Sequence, residues 1–403
     1  MYTFILLCLF LLSNILITYE QPLTTSLYFY EHFYETSFTI GNKSLPLRCT
    51  ISQTHNTNHI LSKSYNPLYD SKSAIQVSMF NKNIDINDKQ LKLIEYIDSI
   101  QLEKTNVTVN NFSFYYIIPV NQIVFKHNRL SLPFNGPNIN TTSIVHLMKQ
   151  QGIINRLSYT FKELLIANNK LQFGVDPSLL RNVYKCKVNA TLNNWNCKLN
   201  IIYVNNSNNN SNTDDDNEIY MYNKEISFDV GRNKTRMPCS LVEYLIRNVM
   251  KTQFEEGKCW VVEYGINKQR VQCDQFLTIL QFRKIVFEFR EFSLEMNLNS
   301  FFVCYINSGC FSLFKCKKDY NDTFVFGSSF AKRFELTFDY EDEAIFIKPG
   351  AGVIMRENKV SNIVKYNTIN ILQYLMILVI IFTIINSGII IIVKTKYQYK
   401  ECI

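Results

Sequence analysis

Glycine is scarce in this chain, 12 of 403 residues, and none lies between Gly41 and Gly136. That long segment lacks the backbone freedom that a tight hairpin draws from glycine. Carboxylates have their own gap: no Asp or Glu stands between Glu35 and Asp70. No run of five basic residues occurs, although the net charge is +8. Basic residues scattered in this way form a solvated surface rather than a nucleic-acid footprint, so no nucleic-acid partner is expected. The five histidines (His32, His55, His59, His127 and His146) lack metal-ligand spacing. His55 and His59 are four apart but fall on no expected helix, and no metal is expected. There is no glycine-rich phosphate loop and no Gly-x-Ser-x-Gly, so neither nucleotide-loop nor serine-elbow chemistry is indicated. No cofactor is expected.

What is present is apolar residue. Hydrophobic residues make up 47% and charged residues 19%, which supports a sizeable core and excludes global disorder. The length suits two ordinary domains or one large bilobal one. An apolar run from Phe4 to Leu12, followed by polar residues, resembles a secretory signal over residues 1–19; an uncleaved anchor is the alternative. Ile371 to Val393 is a run of 23 uncharged residues. At 1.5 Å per residue it is long enough to cross about 30 Å of hydrocarbon as a helix. Lys394, Lys396 and Lys400 follow, so residues 394–403 suit a cytoplasmic tail. These ends predict one membrane span, type I, in the secretory pathway or plasma membrane, with a lumenal or extracellular ectodomain.

Nine cysteines lie between the two ends: Cys49, Cys186, Cys197, Cys239, Cys259, Cys273, Cys304, Cys310 and Cys316. A secretory context favours disulfides, and an odd number leaves one over. Cys186 and Cys197 are placed to staple a hairpin, and Cys239 and Cys259 bracket a helical segment; both are candidate pairs. Sequons for N-glycosylation start at Asn42, Asn106, Asn111, Asn140, Asn189, Asn205, Asn209, Asn233 and Asn321. Short runs rich in branched and aromatic residues, such as 36–40, 112–120, 201–204, 284–289 and 334–338, argue an all-β ectodomain. Helical spacing of apolar residues appears at Ser143 to Gln151 and at Ser240 to Met250, the latter behind Pro238. Residues 205–218 are low complexity with nothing apolar to bury, hence a loop, and 351–370 read as a stalk. No internal tandem repeat is visible.

The segment Phe324 to Ile347 (FVFGSSFAKRFELTFDYEDEAIFI) places Gly327, Phe330, Phe338 and Asp339 in the order of a strand, a Gly, a Phe-led turn and a Phe-Asp hairpin. It resembles the closing segment of pepsin-like aspartic proteases. Four further stretches are similar to that family in the right order: 38–60, 142–161 with 170–176, 195–204, and Ile226 to Pro238 (ISFDVGRNKTRMP). The resemblance implies a two-lobed β fold with a substrate cleft, the lobes over 20–190 and 191–350. It also implies a second-lobe disulfide between Cys273 and Cys310, with Cys304 and Cys316 nearby as competing partners and Cys49 as the odd, buried thiol.

Such enzymes hold two facing carboxylates that share a proton, one acting as base and the other as acid on a bound water. In the family frame the second carboxylate is Asp229, within Asp229-Val230-Gly231, where Val230 lacks the bracing hydroxyl and Arg232 adds a cation. The first falls at Ser52, in Ser52-Gln53-Thr54. A serine does not ionise, and the gap from Glu35 to Asp70 leaves no carboxylate for a neighbouring register. The glycine-bearing flap of the family is missing too, across 74–113. The chain is therefore expected to be a catalytically inactive, membrane-anchored relative that binds peptide or protein. An active membrane-bound aspartic endopeptidase is the alternative, and a purely structural coat protein is a third reading.

Overall fold

The computed structural model describes residues 22–30, 33–41, 46–53, 57–61, 64–80, 92–118, 127–134, 143–162, 169–192, 194–205, 220–232, 234–263, 268–274, 284–305, 309–317, 324–350 and 352–358. The described part of the chain is mostly β. The first half carries β1 (Leu23–Tyr30), β2 (Phe33–Ile40), β3 (Leu47–Ser52), β4 (His59–Leu61), β5 (Ile75–Phe80), β6 (Lys92–Leu102), β7 (Thr108–Ile118), β8 (Asn128–Ser131), β9 (Ser158–Lys162), β10 (Lys170–Phe173) and β11 (Tyr184–Lys187). The second half carries β12 (Asn196–Asn205), β13 (Tyr220–Phe228), β14 (Thr235–Arg236), β15 (Cys259–Glu263), β16 (Lys268–Cys273), β17 (Lys284–Phe289), β18 (Phe292–Asn297) and β19 (Phe302–Tyr305). It continues with β20 (Gly309–Ser312), β21 (Phe314–Lys317), β22 (Val325–Phe326), β23 (Phe334–Asp339), β24 (Ala344–Pro349) and β25 (Val353–Glu357).

The halves follow one path twice. In the first, β3 pairs in parallel with β8, β8 antiparallel with β4, β4 in parallel with β7, and β7, β6 and β5 run on antiparallel. In the second, β13, β22, β14, β21, β16 and β15 repeat the same senses, with β17 to β20 inserted before β21. A helix then follows in each half, Ile144–Gln150 and Ser328–Ala331, and after it a hairpin, β9/β10 and β23/β24. The two hairpins meet through an antiparallel β9–β23 pair. At its centre Thr160 faces Thr337, their hydroxyls 2.8 Å apart across a chain separation of 177 residues. The repeat escaped the sequence because the halves share a path, not a residue pattern.

This join is where the largest rings are buried. Trp195 is fully buried and meets Phe134 at 4.9 Å, Phe338 at 5.1 Å and Tyr340 at 4.9 Å between ring centroids. Tyr159 stacks on Phe338 at 5.0 Å. Rings of this kind contribute about 4–6 kcal/mol each from area burial, before entropy is subtracted. Their polar tips are satisfied. Trp195 Nε1 and the Tyr159 hydroxyl both donate to Leu132 O, at 3.1 and 3.0 Å, and the Tyr340 hydroxyl donates to Pro133 O at 3.0 Å.

Several expectations need correction. β23 and β24, which follow the 190/191 boundary in the chain, extend the first half's sheet between β9 and β11. The stalk does not begin at 351: β25 pairs with β18, so backbone hydrogen bonding carries the folded chain to Glu357. The second expected helix starts one residue earlier and spans Cys239–Asn248, with Pro238 at its N-cap. Residues 1–19, 206–218 and 371–403 lie outside the described residues, as do the sequons at Asn42, Asn140, Asn209, Asn233 and Asn321. Among the described residues no helix is long and apolar enough to cross a membrane. Asn106 and Asn111 are exposed, Asn189 is half-buried, and Asn205 ends β12 rather than opening a loop.

Cysteine pairing also departs from expectation. The disulfides are Cys186–Cys197, Cys239–Cys316, Cys259–Cys273 and Cys304–Cys310, and Cys49 is a buried free thiol. Only the first of the three anticipated pairs forms. Cys259 opens β15 directly opposite Cys273, which removes both from Cys239–Cys259 and Cys273–Cys310. Cys239, at the helix start, instead reaches Cys316 on β21. Four disulfides fit an oxidising, secretory or extracellular environment.

The helix Ile144–Gln150 sets up a pH response. His146 packs edge-on to Tyr340 at 4.9 Å, and burial pushes its pKa below 6.5. The unfolded chain then takes up this proton at higher pH than the native one. Stability is expected to fall as pH drops below 6.5, and His146→Gln to lessen that loss, read as urea midpoints at pH 7.5 and 5. Parallel midpoint shifts in both proteins would refute this.

Candidate functional site

Two loops meet where the halves face each other. β3, held between β2 and β8, delivers Ser52, which is 5% exposed. β13, held between β12 and β22, delivers Asp229, which is 2% exposed. The Asp229 amide donates to Phe326 O at 2.9 Å, and Arg232 N donates back to Asp229 O at 3.0 Å, closing a turn. The contact between loops is backbone to backbone. A Cβ on Gly231 would lie 1.6 Å from Ile51 O, so no other residue fits there.

Gln53 ties the loops together. Its amide N–H donates to Asp229 Oδ1 at 3.3 Å. Its side-chain Oε1 accepts from Val230 N at 2.9 Å, and its Nε2 donates to the Tyr159 hydroxyl at 2.9 Å. Gln53 and Val230 are 177 residues apart in the chain. β3 and β13 hold the same place in the two paths, so Ser52 and Asp229 sit on corresponding loops. Where the family resemblance implies a first carboxylate, the corresponding loop carries the Ser52 hydroxyl.

The charges around Asp229 are cationic. Arg232 Nε donates to Asp229 Oδ2 at 3.1 Å. Arg129, on β8 beside β3, lies within electrostatic range of both residues. Burial pushes its pKa below the usual arginine value, with Asp229 opposing that shift and Arg232 adding to it. Burial also pushes the Tyr159 hydroxyl well above 10.0, so it stays a neutral hydrogen-bonding group beneath the loops. A carboxylate held by a guanidinium and a backbone amide is an acceptor already engaged. It can orient a polar ligand group, but proton sharing needs a second acid at the facing position.

Sequence reasoning placed Asp229, Ser52 and Arg232 in one site, and the structure brings them together. It missed Gln53, Arg129 and Tyr159. The one available signal was glutamine at a position where a short bracing hydroxyl was expected. The segment 74–113 forms the β5/β6 hairpin and β7, with 81–91 outside the described residues. Among the described residues no three His, Cys, Asp or Glu side chains gather as a metal centre. No family model matches the chain. No curated protein matches it significantly either.

Proposed function

We propose that the chain is a membrane-anchored, glycosylated, pepsin-like protein without proteolytic activity, which holds an extended peptide or protein segment between its two halves. The observation that carries this reading is that the loop meeting Asp229 presents Ser52 and no carboxylate. Hydrolysis by a carboxylate pair requires one group to take a proton while its neighbour gives one. Here the facing hydroxyl can do neither at working pH, and Arg232 engages the remaining carboxylate. The doubled chain path, the β-rich halves and the close approach at Gly231 support a two-lobed acid-protease-like fold. The apolar run 371–393 supports a single C-terminal span, and the disulfides support a secretory route.

A peptide array probed with the full-length chain tests the binding half of the proposal. A subset of extended peptides is expected to bind and to be recovered uncut. Ser52→Tyr, which adds a ring where the two loops meet, should weaken that binding at least about tenfold, equivalent to 1.4 kcal/mol. Equal binding by this variant would put the ligand elsewhere on the molecule. No bound peptide at all would favour a structural coat role.

A further inference from the structure

Four cysteines stand in one row across four neighbouring strands. Cys259 is opposite Cys273 across β15/β16, Cys273 is opposite Cys310 across β16/β20, and Cys310 is opposite Cys304 across β20/β19. Directly opposed residues of antiparallel strands point to the same face. The sulfurs therefore line up in the order 259, 273, 310, 304, with the two outer bonds closed. The middle pair is opposed in the same manner. Opposed Cα atoms lie about 4.5–5.5 Å apart, within the span of a disulfide. One row thus has two bonding patterns: both outer pairs closed, or the middle pair closed with a thiol at each end. Access is one-sided. Cys259, Cys273 and Cys310 are buried at 3%, 0% and 3% exposure, whereas Cys304 is exposed.

We infer that this row is a thiol–disulfide exchange site, entered at Cys304, whose co-reactant is an external dithiol. A thiolate of the dithiol attacks Cys304 Sγ, the Cys304–Cys310 bond breaks, and Cys310 leaves as a thiolate. The second thiol of the reagent resolves the mixed disulfide, so Cys304 becomes a thiol and the reagent a disulfide. The Cys310 thiolate then attacks Cys273 Sγ. The Cys259–Cys273 bond breaks, and Cys259 leaves and takes up a proton. In sum, two protein disulfides and one dithiol give one protein disulfide, two protein thiols and one oxidised reagent, a two-electron exchange. The staple moves inward. β15 and β19 lose their covalent ties, and their two hairpins become joined through β16 and β20. β15 is the strand that carries the exposed Trp260 and Val261, 40% and 41% accessible.

The test is one equivalent of dithiothreitol on the full-length chain, an alkylating quench and non-reduced peptide mapping. The expected main product carries a Cys273–Cys310 cross-link with Cys259 and Cys304 alkylated. Alkylation at Cys304 and Cys310 with Cys259–Cys273 intact would overturn the exchange. First reduction at Cys186–Cys197 or Cys239–Cys316 would overturn the entry point. Cys304→Ser gives a second reading without reductant: Cys310 begins as a thiol, and a Cys273–Cys310 bond with free Cys259 should appear. Persistence of Cys259–Cys273 as the sole bond in that variant would contradict the proposal.

Discussion

Replacing Arg156 by leucine is expected to cost about 3–5 kcal/mol of folding stability, the usual loss when one partner of a buried ion pair is removed. Arg156 Nε donates to Asp339 Oδ2 at 2.5 Å, and the Asp339 side chain is fully buried at the end of β23. The same guanidinium reaches Asp176 at 3.5 Å and Asp342 at 3.3 Å. It thereby joins the segment before β9 to the β23/β24 turn, where Asp339 Oδ1 also accepts from Asp342 N at 2.7 Å. Burial pushes the Asp339 carboxyl above 3.8, with Arg156 opposing the shift. Without Arg156 the carboxyl would stay protonated to higher pH still. A raised folded pKa means the native state holds this proton more tightly than the unfolded chain, so the loss in Arg156→Leu should shrink as pH falls toward 4. Urea unfolding at pH 7 and pH 4 measures both effects. The double change Arg156→Leu with Asp339→Leu should recover most of the loss, since an apolar pair removes the unpaired charge. A cost below about 1 kcal/mol in the single variant would contradict the buried-pair account.

Gln53→Ala is expected to cost about 2–4 kcal/mol, built from one orphaned buried donor, one lost neutral hydrogen bond and a small void. Gln53 is fully buried and its side chain makes both cross-chain bonds itself. Truncation leaves Val230 N–H facing the gap, while the Tyr159 hydroxyl keeps its bond to Leu132 O. Tyr159→Phe likewise orphans one buried donor, Gln53 Nε2, but leaves Val230 satisfied and opens no comparable void, so the Gln53→Ala loss should be the larger. Equal or reversed losses in urea unfolding would show that the loops are held by backbone contact at Gly231 and not by the glutamine.

How far residues announced these features depends on the range over which each is decided. The strand at 284–289 matches β17 end to end, because alternating branched and aromatic residues bury one face and set the period locally. The helix behind Pro238 was legible for the same reason. Cys186–Cys197 was legible because the two cysteines are only 11 residues apart in the chain. Cys259–Cys273 was not, because it depends on the register of β15 against β16, and a shift of one residue would turn the sulfur to the other face. At the site, Asp229, Gly231 and Ser52 followed from the resemblance to the pepsin-like frame. The Gln53 fork did not, since its partners lie 106 and 177 residues away and only folding places them within reach. The doubled path stayed hidden because β17 to β20 interrupt the second copy and the facing loops differ at each bracing position.

The most direct test of the account is peptide hydrolysis at acidic pH by the full-length chain, with and without a transition-state-mimicking inhibitor and beside Asp229→Ala. The account predicts no inhibitor-sensitive cleavage and no difference between the unaltered chain and Asp229→Ala. Cleavage that the inhibitor blocks and Asp229→Ala abolishes would contradict it.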